Sequence, residues 1–237
     1  MIECLSKIDS GDIVLLHGCC HNPCGADLNK QQWQQVRDVA LKQGFTVFID
    51  LAYQGLGDGL EEDVYGTRLL AESLPELIVV SSCSKNFGLY RERTGAMTLI
   101  CDSEAATAVA TTQIAGAARA MYSMPPDHGA AIVQLILTND VLRAEWDAEL
   151  TEMRDRINGL RSQFVKQIQS IGIEQDFSFI EREKGMFSFL GVNVGQVQTL
   201  VNDYSIYLVN SSRINVAGIN DANIEYLSNS LATVLKA

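Results

Sequence analysis

Three short apolar runs rich in β-branched residues, 13–17, 46–49 and 77–81, recur about every thirty residues, a spacing typical of strand–helix–strand units. Apolar residues at helical spacing fill the intervals between these runs, over 29–43 and 64–74. Strands separated by helices in this way lie parallel and are joined by right-handed crossovers. The pattern therefore predicts an α/β fold with a mostly parallel sheet covered by helices on both faces.

The middle of the chain adds one strand and two helices. A fourth strand is predicted over 96–101, and a helix over 128–137 follows a pair of prolines. Apolar residues then recur at steps of three and four from Trp146 to Ile171, which predicts one long amphipathic helix. This change of pattern places the end of a first domain near residue 140.

The last part of the chain has shorter periodic segments. After Gly172, alternating runs predict four strands, and an amphipathic run predicts a final helix. The predicted strands are 177–180, 186–190, 206–209 and 213–216, and the predicted helix is 223–235. We interpret this part as a small α+β domain. The sequence thus predicts two domains, over residues 1–140 and 141–237.

Charge limits the partners of the chain. It has 18 Lys and Arg residues against 29 Asp and Glu residues, a net charge of −11. A charge of this sign repels phosphate backbones and anionic lipids, so we expect no nucleic acid and no membrane among its partners. Its apolar runs are too short to span a bilayer, and its first residues do not resemble a secretion signal. A cytoplasmic protein is expected.

Five potential metal ligands lie close together in the sequence, and the chain has six cysteines in all. We expect reduced thiols, because a chain of this size without a secretion signal seldom uses a disulfide framework. The five residues are His17, Cys19, Cys20, His21 and Cys24. A structural zinc site usually takes a second ligand pair from a distant segment, and no CxxC occurs in the chain. We therefore predict no metal, and zinc remains the least favoured alternative.

Polar residues follow each of the first three predicted strands: Asn22, then Asp50 and Tyr53, then Ser82 and Lys85. The carboxyl ends of parallel strands share one edge of a sheet, where ligands bind. A lysine partly desolvated there can act as an amine nucleophile. A carboxylate for a ring nitrogen, donors for a phenolate oxygen and charge for a phosphate complete what pyridoxal phosphate requires. The alternatives are a helix cap for Asp50 and a simple turn at Asn22.

Longer motifs occur in order along nearly the whole chain. They are His-Asn-Pro-Cys-Gly (21–25), Asp-Leu-Ala-Tyr-Gln-Gly (50–55), the segment from Ser82 to Gly95, the segment from Arg119 to Pro126, Gly-Met-Phe-Ser-Phe (185–189) and Ser-Arg-Ile-Asn-Val-Ala-Gly (212–218). With these motifs the chain resembles class I pyridoxal-phosphate aminotransferases of the aspartate and aromatic amino-acid branch. The resemblance implies the fold-type I architecture of transferases that depend on this cofactor, with residues 1–140 as part of the large cofactor-binding domain.

The resemblance implies transamination between an amino acid and a 2-oxo acid, with pyridoxal 5′-phosphate held by Lys85 as an aldimine. Lys85 then carries the proton between the substrate α-carbon and the cofactor. Asp50 pairs with the ring nitrogen. The other implied cofactor contacts are Asn22 and Tyr53 at the phenolate oxygen and Ser82 and Arg93 at the phosphate.

Four residues are implied to bind substrate. Arg213 holds the α-carboxylate in a bidentate contact, and Arg119 reaches a side-chain carboxylate from the neighbouring subunit of a homodimer. Asn22 also reaches the substrate, and Phe187 lines the pocket. Without the resemblance, a surface salt bridge explains Arg119 and a strand-end ion pair explains Arg213. Aspartate or glutamate and aromatic amino acids both remain possible substrates.

The chain departs from the family in two ways. Cys24 stands where the family usually has threonine, and the long segment that family members carry before the first strand is not found ahead of Ile13. That segment holds the phosphate-binding loop and the arm that clasps the partner subunit. We therefore expect the C-terminal portion of an aminotransferase that alone cannot sustain normal turnover. The alternative is a non-catalytic fragment that retains the fold.

Overall fold

The computed structural model describes residues 1–236, and its central feature is a four-stranded sheet. The strands are β1 (Ile13–His17), β2 (Thr46–Leu51), β3 (Leu77–Ser82) and β4 (Gly95–Ile100), in that spatial order. β1, β2 and β3 are parallel, and β4 runs antiparallel to β3. The predicted α/β fold with a mostly parallel sheet is therefore confirmed.

Two crossover helices connect the parallel strands, after a short first helix, α1 (Ile2–Leu5). They are α2 (Lys30–Gln43) and α3 (Tyr65–Ser73). α2 begins at a capping box, in which Asn29 and Gln32 each accept a hydrogen bond from the other's backbone N–H. It ends at Gly44, whose φ of 77° is left-handed, as glycine allows. Both boundaries were recognisable in the sequence.

Only one face of the sheet is deeply buried within residues 1–236. Val14, Val47 and Ile49 on that face pack with Trp33 and Val36 of α2 in one hydrophobic core cluster, the first of two in the structure. On β1, by contrast, Ile13 is 61% exposed and Leu15 is 57% exposed. The expectation that helices cover both faces is thus wrong for this part of the sheet, because α2 and α3 pack against each other on the same side.

Two helices follow the sheet before the long one: α4 (Glu104–Tyr122) and α5 (His128–Thr138). α4 was not predicted, and it has no buried residue. Alanines and threonines dominate the sequence of α4, so it has no apolar stripe from which a helix could be predicted. Its N-cap, Ser103, is still a clear start signal, since the side chain accepts a hydrogen bond from the N–H of Ala106.

A single long helix, α6 (Asp140–Ser170), contacts the first core cluster and also a second one, formed by the C-terminal part of the chain. Trp146 and Leu150 in its first half belong to the first cluster, whereas Ile157 and Phe164 in its second half belong to the second. The predicted helix is therefore present, and it starts six residues before the first residue of the periodic stripe. The domain boundary at residue 140 stays a prediction.

The second cluster packs around a small two-stranded sheet and three helices. These elements are α7 (Ser178–Arg182), β5 (Phe187–Phe189), α8 (Val194–Tyr204), β6 (Arg213–Asn215), a short 3-10 helix (Val216–Gly218) and α9 (Ile224–Lys236). β5 and β6 are antiparallel. None of the helices within residues 1–236 is both long enough and apolar enough to cross a bilayer.

Two of the strands predicted here are wrong. Residues 177–180 begin helix α7, because Asp176 accepts hydrogen bonds from the N–H and hydroxyl of Ser178, and because Phe177 and Ile180 are both buried at helical spacing. Residues 206–209 are not a strand but part of the loop between α8 and β6. Helix α8 was missed, although Asn193 and Gln196 form a second capping box at its start.

Candidate active site

Three predicted site residues lie just beyond the carboxyl ends of the parallel strands. Asn22 follows β1, Tyr53 follows β2, and Lys85 follows β3. Asp50 lies within β2, where its register partner on β1 is His17. Since the strands are parallel, these residues leave the sheet at the same edge.

Lys85 and Tyr53 are in direct contact. The Nζ atom of Lys85 lies 4.7 Å from the centroid of the Tyr53 ring, and Tyr53 is only 5% exposed. Within the described residues 1–236, neither a hydrogen bond nor an ion pair engages the Lys85 ammonium, the Tyr53 hydroxyl or the Asp50 carboxylate. These three polar groups at one sheet edge are therefore available to a ligand.

The environment of Tyr53 keeps its hydroxyl protonated. Burial raises the pKa of Tyr53 above its ordinary value of 10.0, and the neighbouring Tyr90 and Asp50 raise it further. The positive charge of Arg213 opposes this shift in pKa. At neutral pH the hydroxyl therefore acts as a hydrogen-bond donor, as a contact with a phenolate oxygen requires.

The turn that carries Lys85 is held from two sides. The Asn86 side chain donates to the carbonyl of Gln54 at 3.3 Å, which ties the turn to the segment after β2. From α6, the Nε1 atom of Trp146 donates to the Asn86 carbonyl at 2.7 Å, and its ring stacks on Phe87 at 4.4 Å between centroids. Sequence reasoning missed this role of Trp146, because the residue also fits the apolar stripe of its helix.

Arg213 brings the small sheet to the same region. Its Nη1 atom donates to Oδ1 of Asn22 at 3.2 Å, and its guanidinium carbon lies 4.7 Å from the centroid of the Phe187 ring. Phe187 lies on β5 and Arg213 on the paired strand β6. The register partner of Arg213 is Phe189, two residues along β5 from Phe187. The structure therefore brings together Asn22, Phe187 and Arg213, which lie far apart in the sequence.

The two predicted phosphate ligands lie near the Lys85 turn. The Ser82 hydroxyl donates to Oγ of Ser84 at 3.0 Å. Arg93 is exposed, has a left-handed φ of 54°, and donates to the carbonyl of Tyr90 at 2.9 Å. A hydrogen bond from the N–H of Cys83 to the carbonyl of Thr94 connects the two segments.

Comparison with known proteins identifies the family. A family model described as aminotransferase class I and II matches residues 1–231. The chain belongs to this family. It is 49% identical over 235 residues to an aspartate aminotransferase of Haemophilus influenzae, covering 99% of this chain and 59% of that protein. It is 46% identical over 230 residues to an aromatic-amino-acid aminotransferase of Paracoccus denitrificans, covering 97% of this chain and 58% of that protein.

Solved structures of this family have the same fold. An aromatic-amino-acid aminotransferase of Burkholderia pseudomallei, covalently bound to pyridoxal phosphate, superposes with a TM-score of 0.97 at 44% identity, covering 99% of this chain and 59% of that one. A mitochondrial aspartate aminotransferase of Trypanosoma brucei superposes with a TM-score of 0.96 at 39% identity, covering 99% and 62%. These matches confirm the resemblance and the fold-type I architecture. The chain spans about three fifths of the length of these relatives.

Arg119 stands apart from the other predicted residues of this aminotransferase-family chain. It lies exposed in the last turn of α4. Within residues 1–236, its side chain forms no hydrogen bond or ion pair with the residues around Lys85 or Arg213. Its predicted role in substrate binding across subunits stays a prediction.

The five potential metal ligands at 17–24 do not converge on one point among the described residues. That the chain binds no metal stays a prediction. Nδ1 of His17 accepts a hydrogen bond from the N–H of Asn22, whereas Nδ1 of His21 contacts the Cys24 sulfur. Among the described residues, a different trio converges within 4.8 Å: Cys19, Cys20 and Asp63.

The carboxylate of Asp63 in this trio already has a structural role. It accepts backbone N–H groups from Gly55, Gly57 and Asp58 at 2.8–3.0 Å, and so fixes the loop after β2. A side-chain hydrogen bond with Cys20 raises the pKa of the Cys19 thiol, and burial raises it further.

Proposed function

We propose that this chain carries the pyridoxal-phosphate site of an aminotransferase and transfers amino groups between an amino acid and a 2-oxo acid. The observation that carries the proposal is the contact of the Lys85 amine with the Tyr53 ring at the carboxyl edge of a parallel sheet. The names of the relatives, aspartate and aromatic-amino-acid aminotransferases, support transamination over the alternative of a non-catalytic fragment.

The donor set fits pyridoxal 5′-phosphate. The amine of Lys85, the carboxylate of Asp50 and the hydroxyl of Tyr53 form no hydrogen bond or ion pair within residues 1–236, and each matches one polar group of that cofactor. When bound, the cofactor supplies an electron-withdrawing ring that stabilises negative charge at the substrate α-carbon.

Each residue at the edge has a distinct task in this proposal. Lys85 holds the cofactor through its amine. When that amine is free, its Nζ atom takes the proton from the substrate α-carbon. The Asp50 carboxylate keeps the ring nitrogen protonated, because an opposite charge nearby favours the charged form. Tyr53 and Asn22 donate hydrogen bonds to the phenolate oxygen, and Ser82 and Arg93 bind the phosphate.

Substrate recognition follows from the contacts of Arg213. Its guanidinium is oriented by the hydrogen bond to Asn22 and by stacking on Phe187, which leaves a planar fork suited to a substrate α-carboxylate. Arg119, exposed on α4, binds the side-chain carboxylate of aspartate or glutamate in a neighbouring copy of the chain. Aromatic amino acids are the second substrate class, which the Paracoccus relative supports.

The proposal extends to assembly, location and domains. A homodimer is the partner arrangement, because within the described residues Arg119 forms no hydrogen bond or ion pair with the site of its own chain. We place the protein in the cytoplasm, with neither nucleic acid nor membrane as a partner, in keeping with its net charge of −11. We propose a large domain over 1–140 and a small one over 141–237. Two core clusters support a division into two domains, although the first half of α6 packs with the first cluster.

A single-turnover assay tests the function. The 237-residue chain is loaded with pyridoxal phosphate and mixed with aspartate or phenylalanine, and the 2-oxo acid formed is measured against bound cofactor. We expect stoichiometric 2-oxo acid from the wild type and from Lys42→Ala, an exposed lysine on α2. Lys85→Ala should form no 2-oxo acid over the same time. An absence of product from the wild type, or equal rates in Lys85→Ala, would refute the proposal.

A further inference from the structure

We propose that Cys24 is an activated thiol, paired with His21 as its base, and that it is a site of modification by small-molecule disulfides. Cys24 occupies the position where the family usually has threonine, so the site is a property of this chain. The inference does not depend on the proposed transamination, because it concerns the reactivity of a thiol.

The two side chains are within hydrogen-bond distance. The Sγ atom of Cys24 lies 3.1 Å from Nδ1 of His21, and both residues are half-buried. Burial lowers the pKa of His21 below its ordinary value of 6.5, and the neighbouring His17 lowers it further. At neutral pH the imidazole is therefore uncharged, and its Nδ1 can accept the thiol proton.

His21 is oriented by its surroundings, as the base beside a nucleophile must be. Its ring stacks on His17, with 4.4 Å between centroids and an interplanar angle of 27°. Its backbone N–H donates to Oδ1 of Asp27 at 2.8 Å, and its carbonyl accepts from the N–H of Gly25 at 2.6 Å. The turn from His21 to Gly25 thus holds thiol and imidazole together.

Packing against the small sheet also fixes this turn. Gly25 is buried, has a φ of 74°, and leaves no room for a side chain against the carbonyl of Phe187. Its carbonyl accepts a hydrogen bond from the N–H of Lys184 at 2.9 Å. Thiol and base are therefore presented on a rigid element rather than on a mobile loop.

Four of the five other thiols differ from Cys24 in ways that serve the test. Cys19 and Cys20 are buried, and burial raises the pKa of Cys83. Cys4 is exposed, and within residues 1–236 no histidine contacts it. Exposure alone therefore predicts that Cys4 reacts first, whereas activation by a base predicts Cys24.

The proposed reaction is thiol–disulfide exchange. The Cys24 sulfur forms a bond to one sulfur of the reagent as its proton passes to Nδ1 of His21, and the S–S bond of the reagent breaks. The released thiolate takes a proton back from the imidazolium. The products are a mixed disulfide on Cys24 and one free thiol, and the disulfide itself is the oxidant.

A competition experiment decides the proposal. The 237-residue chain is treated at neutral pH with less than one equivalent of dipyridyl disulfide, quenched with acid, and mapped by mass spectrometry. We expect Cys24 to be modified about tenfold faster than Cys4, because general-base assistance of about a hundredfold or more outweighs the greater exposure of Cys4. Modification of Cys4 at an equal or greater rate would overturn the proposal.

Two histidine variants assign the effect to the base. In His21→Gln, the rate at Cys24 should fall about a hundredfold relative to Cys4, which serves as an internal standard. In His128→Gln, which removes an exposed histidine paired with Glu92, the ratio should stay unchanged. An unchanged ratio in His21→Gln would overturn the proposal. If that variant does not fold, the ranking of the two thiols in the wild type still decides.

Discussion

The ammonium of Lys85 lies over the face of the Tyr53 ring, 4.7 Å from its centroid, at the edge where three parallel strands end. A cation over an aromatic face is held by the ring quadrupole, so Tyr53 positions the amine as well as offering a hydroxyl. These two functions of one residue can be separated by substitution.

Tyr53→Phe retains the ring and removes the hydroxyl. We expect the dissociation constant for pyridoxal phosphate to rise about tenfold, because one hydrogen bond to a charged oxygen contributes roughly 1.5 kcal/mol. Fluorescence titration of the 237-residue chain with pyridoxal phosphate measures this dissociation constant. Tyr207→Phe, at a side chain that is 82% exposed, is the matched control and should bind as the wild type does. Equal affinity in both variants would show that the Tyr53 hydroxyl does not contact the cofactor.

Arg213→Lys keeps the positive charge but loses the planar fork. We expect 2-oxo acid binding to the cofactor-loaded chain to weaken between about tenfold and a hundredfold, from the loss of roughly 1.5–3 kcal/mol of charged hydrogen bonding. Calorimetric titration provides the measurement. Arg37→Lys, in a surface pair with Asp38, should leave the affinity unchanged. An unaltered affinity in Arg213→Lys would remove Arg213 from the proposed substrate site.

Arg161 is fully buried and holds the segment that leads into β5. Its guanidinium donates to five acceptors and lies 3.7 Å from the Glu183 carboxylate. The acceptors are the carbonyls of Ile180, Lys184, Gly185 and Phe187 and the hydroxyl of Ser188. Arg161→Met should lower the free energy of unfolding by about 3–5 kcal/mol, because it removes the ion-pair partner of the half-buried Glu183 and leaves the five acceptors without their donor.

Urea denaturation of Arg161→Met tests this, with Arg154→Met as the control. Arg154 pairs with Asp155, whose side chain is 67% exposed, so the control should lose less than about 1 kcal/mol. Similar losses in the two variants would contradict the structural role of Arg161.

The lowered pKa of His21 predicts how stability depends on pH. Because burial, and then His17, hold the folded-state pKa below the unfolded value of 6.5, the fold binds fewer protons than the unfolded chain as pH falls. The stability that neutral His21 contributes is therefore fully present above pH 6.5. It is lost as the pH falls through the folded-state pKa of His21. Urea midpoints between about pH 7 and pH 5 should decrease less in His21→Gln than in the wild type. An equal or steeper decrease in the variant would disprove it.

Local patterns predicted the sheet and one side of the site. The strand–helix spacing and the polar residues after each strand located Asn22, Tyr53 and Lys85 correctly at one edge. The contact between Asn22 and Arg213 joins residues 191 positions apart, so no local pattern contains it, and only the family motifs indicated it. The strand predicted at 177–180 is wrong, because an apolar run of four residues fits both a strand and a helical turn.

The most direct test of the central claim, that Lys85 holds the cofactor, is site-resolved trapping. The chain is incubated with pyridoxal phosphate, reduced with borohydride, digested and mapped by mass spectrometry, with Lys85→Arg in parallel. We predict a stable pyridoxyl adduct on the peptide that contains Lys85, formed well ahead of the exposed Lys42 and absent from the variant. Adducts spread evenly over exposed lysines, with Lys85 unmodified, would contradict the account.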